Sequence, residues 1–331
     1  MNFKKGFFLI ATLLFSSIGT VAFFKKKFAK QKEFLETVET VEITPLELAK
    51  PVEKAVVQQP VVVESPPSAA LPSSEIIEVD RIPLLFAFDS TKLPIVETIS
   101  FTSRVPWLKG RHAWIADYAS HYSTSRHFIA RSLNHKPDYL TQKVSPGDRF
   151  NVFKAGVNLK FHLVLDLSTC RLWFYYLNLD TNERTLLKVY RTGVGRTDVK
   201  TPSKTLTPIG TYHLGEKVAI YKPGVVGFFQ DRKIEMIRIF GSRWIPFDKE
   251  IEGCTQGAQG LGIHGTPWIG DATGNLVEDR SKIGKYDSDG CIRMASEDIE
   301  ELFAIIITKD TTIEIVKEFR DAKLPGVEKV L

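Results

Sequence analysis

The spacing of hydrophobic and polar residues first marks a candidate membrane segment. From Gly6 to Phe24 the chain carries 19 uncharged residues between two groups of lysines. As a helix this run is about 28 Å long, close to the hydrocarbon thickness of a bilayer. No small-residue cleavage site precedes the second group of lysines, so we expect an uncleaved signal anchor. A cleaved export signal is the alternative.

A segment without sustained periodicity follows. Residues 31–80 are predicted to be a linker, and its part from Pro51 to Ser74 is rich in Pro, Val, Glu and Ser. As a flexible coil such a linker would span roughly 40 Å. The pattern therefore predicts a tether long enough to hold a folded domain above a membrane.

Signals of ordered structure return at about Arg81. The segment Arg81–Phe88, RIPLLFAF, is predicted to be a buried strand. Apolar residues at helical spacing between His112 and Asn134 predict two helices joined by a turn. A Pro-Gly-Asp turn at 146–148 then leads into a short strand. This order weakly resembles a LysM module, which binds glycan chains; a packing domain without a ligand is the alternative.

From Lys160 onward, alternating apolar residues predict a mainly-β domain. The segments FHLVLDL and CRLWFYYL are predicted to form a hairpin, and further strands follow at short intervals, including KIEMIRIF at 233–240. A helix is predicted to start after Ser296 as its N-cap, with Glu297 and Asp298 in the first turn. TTIEIVKE is predicted to be the final strand.

Composition and charge exclude some classes of function. The 331-residue chain is 43% hydrophobic and 25% charged, as ordinary globular proteins are, and its net charge of +5 is mild. Because no stripe of Lys and Arg interleaved with aromatic residues occurs, we predict no nucleic-acid partner. Cys and His are too widely spaced for a zinc site, so we predict no zinc.

The three cysteines, Cys170, Cys254 and Cys291, make an odd number in a chain predicted to be exported. A Cys170–Cys254 disulfide would leave Cys291 free, although the sequence does not determine the pairing. Cys291 follows Gly290 in the turn YDSDGCIRM. Glycine permits close backbone approach there, so a substrate carbonyl could lie against main-chain N–H groups.

A nucleophilic cysteine needs a base, and the best candidate is His264 in GIHGTPW. An imidazole able to reach the thiol would raise its thiolate fraction. The alternatives are an incidental Gly-Cys turn and a packing histidine. A calcium loop is excluded because Lys285 and Ser296 would stand where acidic ligands are required. The residue chemistry alone does not distinguish a Cys/His hydrolase or acyl transferase from these structural alternatives.

The ordered motifs together resemble the L,D-transpeptidase (YkuD) family of bacterial cell-wall enzymes. The resemblance extends from about Lys160 to Glu318 and rests on the opening hairpin, RTGVG, TLTPIGTY, IHGT and SDGCIRM. It implies a mainly-β, L,D-transpeptidase-type β-sandwich with few helices, preceded by a small α/β domain and an N-terminal membrane helix. The predicted segments are the signal anchor 1–30, the linker 31–80, the accessory domain 81–156, the catalytic domain 157–320 and the C-terminal tail 321–331.

The resemblance also implies roles for individual residues. Cys291 matches the nucleophile, and His264 matches the base that forms an ion pair with it. Gly265 matches the residue whose carbonyl orients that imidazole, and the N–H groups of Gly290 and Cys291 match the oxyanion hole. Further positions predicted to contact substrate are Trp268, Tyr286, Ser288, Asp289 and Arg293.

Members of this family act on peptidoglycan stem peptides, and the resemblance implies that no metal and no cofactor is required. The thiolate attacks the bond between a diamino acid and the terminal D-Ala of a donor tetrapeptide, D-Ala leaves, and an acceptor amine resolves the thioester into a 3–3 cross-link. The resemblance thus implies a role in cell-wall biogenesis and cell shape, with the anchor in the inner membrane and the catalytic domain in the periplasm. The alternatives are an L,D-carboxypeptidase or hydrolase and a non-catalytic cell-wall-binding protein; glycan is a further predicted partner.

Two features depart from the family pattern. Asp289 stands where a second histidine is usual, and the segment from His264 to Cys291 is longer, with Asn275–Lys282 as the expected insertion. We expect the chain to remain active because Cys291 and His264 are both retained. Our hypothesis is that Asp289 contacts a cationic substrate amine; a tolerated turn residue is the alternative.

Overall fold

The computed structural model describes residues 79–136, 143–216 and 218–329. The predicted anchor at 6–24 and the linker up to residue 78 lie outside the described residues. Within the described ranges, no helix is both long enough and apolar enough to cross a bilayer. This part of the chain is mainly β with few helices, as predicted.

The described chain begins with a small α/β arrangement. Its elements are α1 (Pro83–Phe86), β1 (Val96–Ser100), α2 (Ile115–His121), α3 (Arg126–Asn134) and β2 (Arg149–Phe153). β1 and β2 pair antiparallel along their full length. The two helices and the strand after the Pro-Gly-Asp turn agree with the sequence pattern, whereas the resemblance to a LysM module remains a prediction.

The prediction of a strand at Arg81–Phe88 is wrong. Pro83 instead opens a one-turn helix, α1, because its fixed φ suits the first helical position and its missing N–H is not needed there. Leu85 and Phe86 on this turn are buried. Over so few residues, periodicity cannot distinguish a buried helical turn from a buried strand.

The remaining strands and helices follow in quick succession. They are β3 (Leu159–Asp166), β4 (Arg171–Asn178), β5 (Glu183–Gly195), β6 (Gly210–Leu214), β7 (Ala219–Ile220), β8 (Val226–Phe229), β9 (Arg232–Glu235), α4 (Ile237–Phe240), β10 (Arg243–Glu252), β11 (Gly262–Gly265), β12 (Trp268–Gly270), β13 (Leu276–Glu278), β14 (Tyr286–Ser288), β15 (Ile292–Met294), α5 (Ser296–Ile306), β16 (Thr311–Val316) and β17 (Val327–Glu328). The predicted hairpin of β3 and β4 is present, with its two strands in continuous antiparallel register.

One large sheet forms the body of this region. Its strands follow the order β11-β15-β5-β4-β3-β16-β6-β10-β7, with β14 and β17 also paired to β5. β10 pairs with β6 through one part of its length and with β11 through another. The sheet therefore closes on itself, and β11 and β15 become neighbours. β8–β9 and β12–β13 form separate two-stranded hairpins outside this sheet.

Two local predictions near the site need correction. KIEMIRIF is not a single strand, because β9 ends at Glu235 and α4 follows, with Met236 and Ile237 turned into a buried cluster. Ser296 does not cap α5; it is the first helical residue after Ala295. Its N–H donates to Oε1 of Glu278 at 2.6 Å, so a carboxylate from β13 satisfies the helix start.

The main hydrophobic core extends beyond the large sheet. It includes Ile299 and Phe303 from α5 and also Phe128 and Phe153 from the first α/β elements. The Phe128 ring lies 5.0 Å from that of Phe86 and 4.7 Å from that of Phe153, measured between ring centroids. Phe128 is fully buried at this junction.

We predict that Phe128→Ala lowers the free energy of unfolding by about 3–5 kcal/mol, because it leaves a cavity among packed aromatic rings. The matched control is Phe228→Ala, since Phe228 is 69% exposed on β8. That change should stay within about 0.5 kcal/mol. Urea unfolding followed by tryptophan fluorescence measures both, and equal losses would contradict the placement of Phe128 in the core.

Candidate active site

The loop between β14 and β15 presents Cys291, and its backbone shape depends on Gly290. Gly290 has φ +124°, a conformation that side-chain-bearing residues rarely adopt. A Cβ there would lie 3.0 Å from the carbonyl oxygen of Leu206 and 3.0 Å from Cδ2 of Leu261. The Gly-Cys pair is therefore required by local geometry, which explains why the cysteine follows a glycine in this turn.

Hydroxyl groups fix the two sides of this loop. Ser288 Oγ donates to the carbonyl of Cys291 at 2.6 Å and accepts the N–H of Gly290 at 3.2 Å. Thr207 Oγ1 donates to the carbonyl of Gly290 at 2.9 Å and accepts the N–H of Gly195 at 2.7 Å. Buried Ser288 thus holds the loop, and the Gly290 N–H predicted for the oxyanion hole is already bonded.

His264 lies on β11, beside the strand that Cys291 precedes. β11 and β15 pair in parallel, with His264 opposite Arg293. Paired residues share a face of the sheet, and residues two positions apart along an extended chain do so as well. Cys291 lies just before β15, two positions before Arg293, and its thiol donates to the carbonyl of Gly260 at 3.7 Å. If the extended conformation of β15 continues back to Cys291, the thiol and the imidazole lie on one face. Arg293 lowers the pKa of both groups electrostatically, which is consistent with that arrangement.

A backbone carbonyl and two aromatic rings orient the imidazole. Nδ1 of His264 lies 2.7 Å from the carbonyl oxygen of Gly265, the residue predicted for this role. If Nδ1 donates in this bond, Nε2 is the nitrogen able to accept a proton. The ring packs edge-on against Phe240 at 5.4 Å and lies 5.8 Å from Trp244.

Two glycines allow this close packing. A Cβ on Gly241, which has φ +59°, would lie 2.6 Å from Cα of Gly265. The chain segment after α4 can therefore approach the end of β11 only because both residues lack side chains. This approach brings Phe240 and Trp244 to the imidazole.

Burial sets the charge state of the Cys/His pair. It lowers the pKa of His264 to about 4, with the carbonyls of Gly265 and Phe240 opposing the shift only in part. Burial also raises the pKa of the Cys291 thiol to about 11, and the negative charge of Asp289 adds to this rise. Both pKa shifts favour the uncharged forms of these groups, a thiol and a neutral imidazole. This differs from the ion pair that the family resemblance implied.

Asp289 is engaged by a neighbouring arginine. Its Oδ1 accepts a hydrogen bond from Nη2 of Arg196, the residue that follows β5. The predicted contact between Asp289 and a substrate amine would have to replace this ion pair. Arg196 itself had no role in the sequence-based prediction.

The other predicted contact residues occupy different surroundings. Arg293 donates to Oδ2 of Asp287 at 2.9 Å and lies beside His264 in register. Trp268 packs with Phe240 and Trp244 in the aromatic cluster next to the imidazole. The hydroxyl of Tyr286 donates to the carbonyl of Leu167 at 2.6 Å, in the β3–β4 turn. Tyr286 therefore ties β14 to that hairpin.

The expected insertion Asn275–Lys282 contributes a structural carboxylate that the sequence did not single out. Oε1 of Glu278 accepts the hydroxyl of Thr266 at 2.5 Å, just after β11. The same oxygen accepts the N–H of Ser296, just after β15. Glu278 thus joins the segments that follow β11 and β15. An acidic residue in the middle of an insertion carries no sequence signal for this role.

The described residues contain neither a disulfide nor a cluster of metal-binding side chains. All three cysteines are free thiols, so the Cys170–Cys254 bridge is absent. Among residues 79–136, 143–216 and 218–329, no group of three or more Cys, His, Asp or Glu side chains could hold a metal ion.

The fold and site define a mainly-β domain with a histidine on β11 and a cysteine just before the neighbouring parallel strand β15. Residues 160–315 match the family model of the L,D-transpeptidase catalytic domain, YkuD. This match agrees with the family resemblance that the motifs carry.

Several solved structures are also similar. Bd1075 from Bdellovibrio bacteriovorus aligns with 15% identity and a TM-score of 0.32, covering 48% of each chain. The helical cell shape determining protein Pgp2 from Campylobacter jejuni aligns with 16% identity and a TM-score of 0.33, covering 51% of this chain and 50% of that one. The chain thus spans about half the length of these proteins. No curated protein shows significant similarity.

We predict that Gly290→Ala destabilises the fold more than a matched substitution at a free glycine. Gly274 has φ +84°, and a Cβ added there would meet no atom within 4 Å, so Gly274→Ala should cost only about 1 kcal/mol from backbone strain. Gly290→Ala should cost more, because Leu206 and Leu261 must also move. Chemical unfolding measures both variants, and equal costs would contradict the close approach at Gly290.

We predict that alkylation of Cys291 by iodoacetamide is slow at pH 7 and accelerates about tenfold per pH unit up to pH 10. With a thiol pKa of about 11, the thiolate fraction at pH 7 is about 10⁻⁴, and it rises with pH. Peptide mass spectrometry separates Cys291 from Cys170 and Cys254. A rate that is already constant between pH 6 and 9 would show a resting ion pair instead.

Proposed function

We propose that the protein is a cysteine-dependent peptidoglycan L,D-transpeptidase. The observation that supports the proposal is the parallel register of β11, which carries His264, with β15, which begins directly after Cys291, together with the Gly265 carbonyl beside the imidazole. The match of residues 160–315 to the YkuD family model supports a stem peptide as the substrate.

The first half of the proposed reaction forms a thioester. Sγ of Cys291 attacks the carbonyl carbon of the diamino acid at the third position of a donor tetrapeptide. Because both groups are neutral at rest, Nε2 of His264 takes the thiol proton while the S–C bond forms. The imidazolium then gives that proton to the nitrogen of the departing D-Ala as the C–N bond breaks.

The oxyanion that develops during this step needs hydrogen-bond donors. The N–H of Gly290 is already bonded to Ser288, so we assign the main donor role to the N–H of Cys291 itself. Ser288 and Thr207 contribute by holding the loop that carries this N–H. They position the nucleophile without contacting the substrate.

The second half transfers the acyl group. An acceptor amine, the side chain of a second stem's diamino acid, attacks the thioester carbon and loses a proton to Nε2 of His264. The C–S bond breaks, and the imidazolium returns a proton to Sγ of Cys291. If water takes the place of the amine, the same steps give an L,D-carboxypeptidase.

We also propose that the catalytic domain works in the periplasm at the end of a tether. The support is the uncharged run at 6–24 and the linker at 31–80. The substrate is part of a polymer above the inner membrane, so an anchored catalytic domain needs a tether of this length to contact it. Glycan binding by the elements within residues 81–156 remains a prediction.

We expect the full chain, incubated with a disaccharide-tetrapeptide, to give a cross-linked dimer that has lost one D-Ala, as read by mass spectrometry. Cys291→Ala should abolish the product because no thioester can form. His264→Gln should lower the rate by about 10²–10⁴-fold, since the general base is removed.

Unfolding midpoints of both variants provide the control for correct folding. A tripeptide monomer in place of the dimer would identify a carboxypeptidase. No product from folded wild-type protein would support a non-catalytic wall-binding protein and contradict the proposed function.

A further inference from the structure

Arg196 is anchored beside the nucleophile loop by its backbone. Its N–H donates to the carbonyl of Ser288 at 2.9 Å, and its carbonyl accepts the N–H of Leu206 at 2.8 Å. Ser288 and Leu206 both belong to the segments that surround Gly290. The main chain of Arg196 therefore has a set position relative to Cys291.

The Arg196 side chain is exposed and only partly engaged. It is 60% exposed, and its Nη2 bonds to Oδ1 of Asp289, which is 82% exposed. A guanidinium carries five N–H donors in a planar fork that matches a carboxylate. Within the described residues, no second carboxylate forms an ion pair with Arg196. Most N–H donors of the guanidinium are therefore available to bind a ligand. Exposed ion pairs such as this one contribute little to stability and exchange readily.

The location of the pair matches the expected path of a donor peptide. Asp289 stands two residues before Cys291, and its charge is close enough to act on the thiol, so the guanidinium bonded to Asp289 lies on the same side of the loop as Cys291. A tetrapeptide ends one residue after the attacked carbonyl. Its terminal carboxylate carbon thus lies within about 4 Å of the attacked carbon, at the distance where a side chain from the loop edge could meet it.

We propose that Arg196 binds the terminal carboxylate of the leaving residue and that Asp289 holds the guanidinium in place until the substrate carboxylate replaces it. This inference rests on the proposed function. It makes Arg196 a specificity-determining residue, because a donor must then carry a free carboxylate one residue beyond the attacked bond. In the protein without substrate, the carboxylate of Asp289 then occupies the place at the guanidinium that the substrate carboxylate takes on binding.

The test compares two donors, a disaccharide-tetrapeptide with a free terminal carboxylate and the same compound as its terminal amide. Release of D-Ala or D-alaninamide is followed for wild type, Arg196→Gln, Arg196→Lys and Lys200→Gln. Lys200 is an exposed cation in the connection after β5 and serves as the matched control. Wild type should favour the carboxylate donor by about 10- to 100-fold in kcat/KM.

Arg196→Gln should remove that preference, mainly through a higher KM for the carboxylate donor, and leave the rate on the amide unchanged. Arg196→Lys should retain part of the preference, and Lys200→Gln all of it. Asp289→Asn should also retain the preference, because the guanidinium itself remains.

Equal losses on both donors for Arg196→Gln would show a structural role and overturn the inference, as would an unchanged preference. Loss of the preference in Asp289→Asn would show that Arg196 needs Asp289 while substrate is bound, which contradicts replacement of Asp289 by the substrate carboxylate. If folded wild type releases nothing from either donor while iodoacetamide still modifies Cys291, the proposed function fails and this inference fails with it. Wild-type turnover without any preference overturns the inference alone.

Discussion

The parallel pairing of β11 with β15 is the constraint on which the rest of the site depends. It sets His264 opposite Arg293, two positions after Cys291. The pairing exists because β10 bridges from β6 to β11 and closes the sheet. Glu278 reinforces it, since one carboxylate oxygen bonds to the chain just after each of the two strands. Without this closure, His264 and Cys291 would lie at separated edges of the sheet.

Burial determines how such a pair can work. The aromatic rings around His264 exclude water, so burial destabilises the protonated imidazole more than the nearby carbonyls stabilise it. The thiol experiences the same penalty, which Arg293 offsets only in part. Under the proposed mechanism, charge separates only while the bond to the substrate forms. The low polarity that disfavours the ion pair also strengthens any hydrogen bond to the oxyanion.

In the motif SDGC, Ser288 and Gly290 have structural roles, whereas Asp289 is exposed. Ser288 and Gly290 shape the loop, one through its hydroxyl and the other through its backbone freedom. Asp289 points outward and meets Arg196, whose own backbone is bonded to Ser288. A position that departs from the family pattern therefore lies at the exposed end of the loop, where substitution does not disturb the geometry around Cys291.

The sequence by itself determined the strands with clear alternation, such as β3, β4 and β16, and it singled out Cys291 and His264 as candidates, because these inferences depend on local pattern and on side-chain type. It did not determine α1 or the break at Glu235, where short apolar runs suit either structure. The sequence also did not indicate the roles of Glu278, Phe240 and Arg196, because each contacts a segment that is distant in the chain. Only the tertiary structure decided these contacts, and with them the neutral state of the pair, because strand register, sheet closure and burial are properties of the assembled fold.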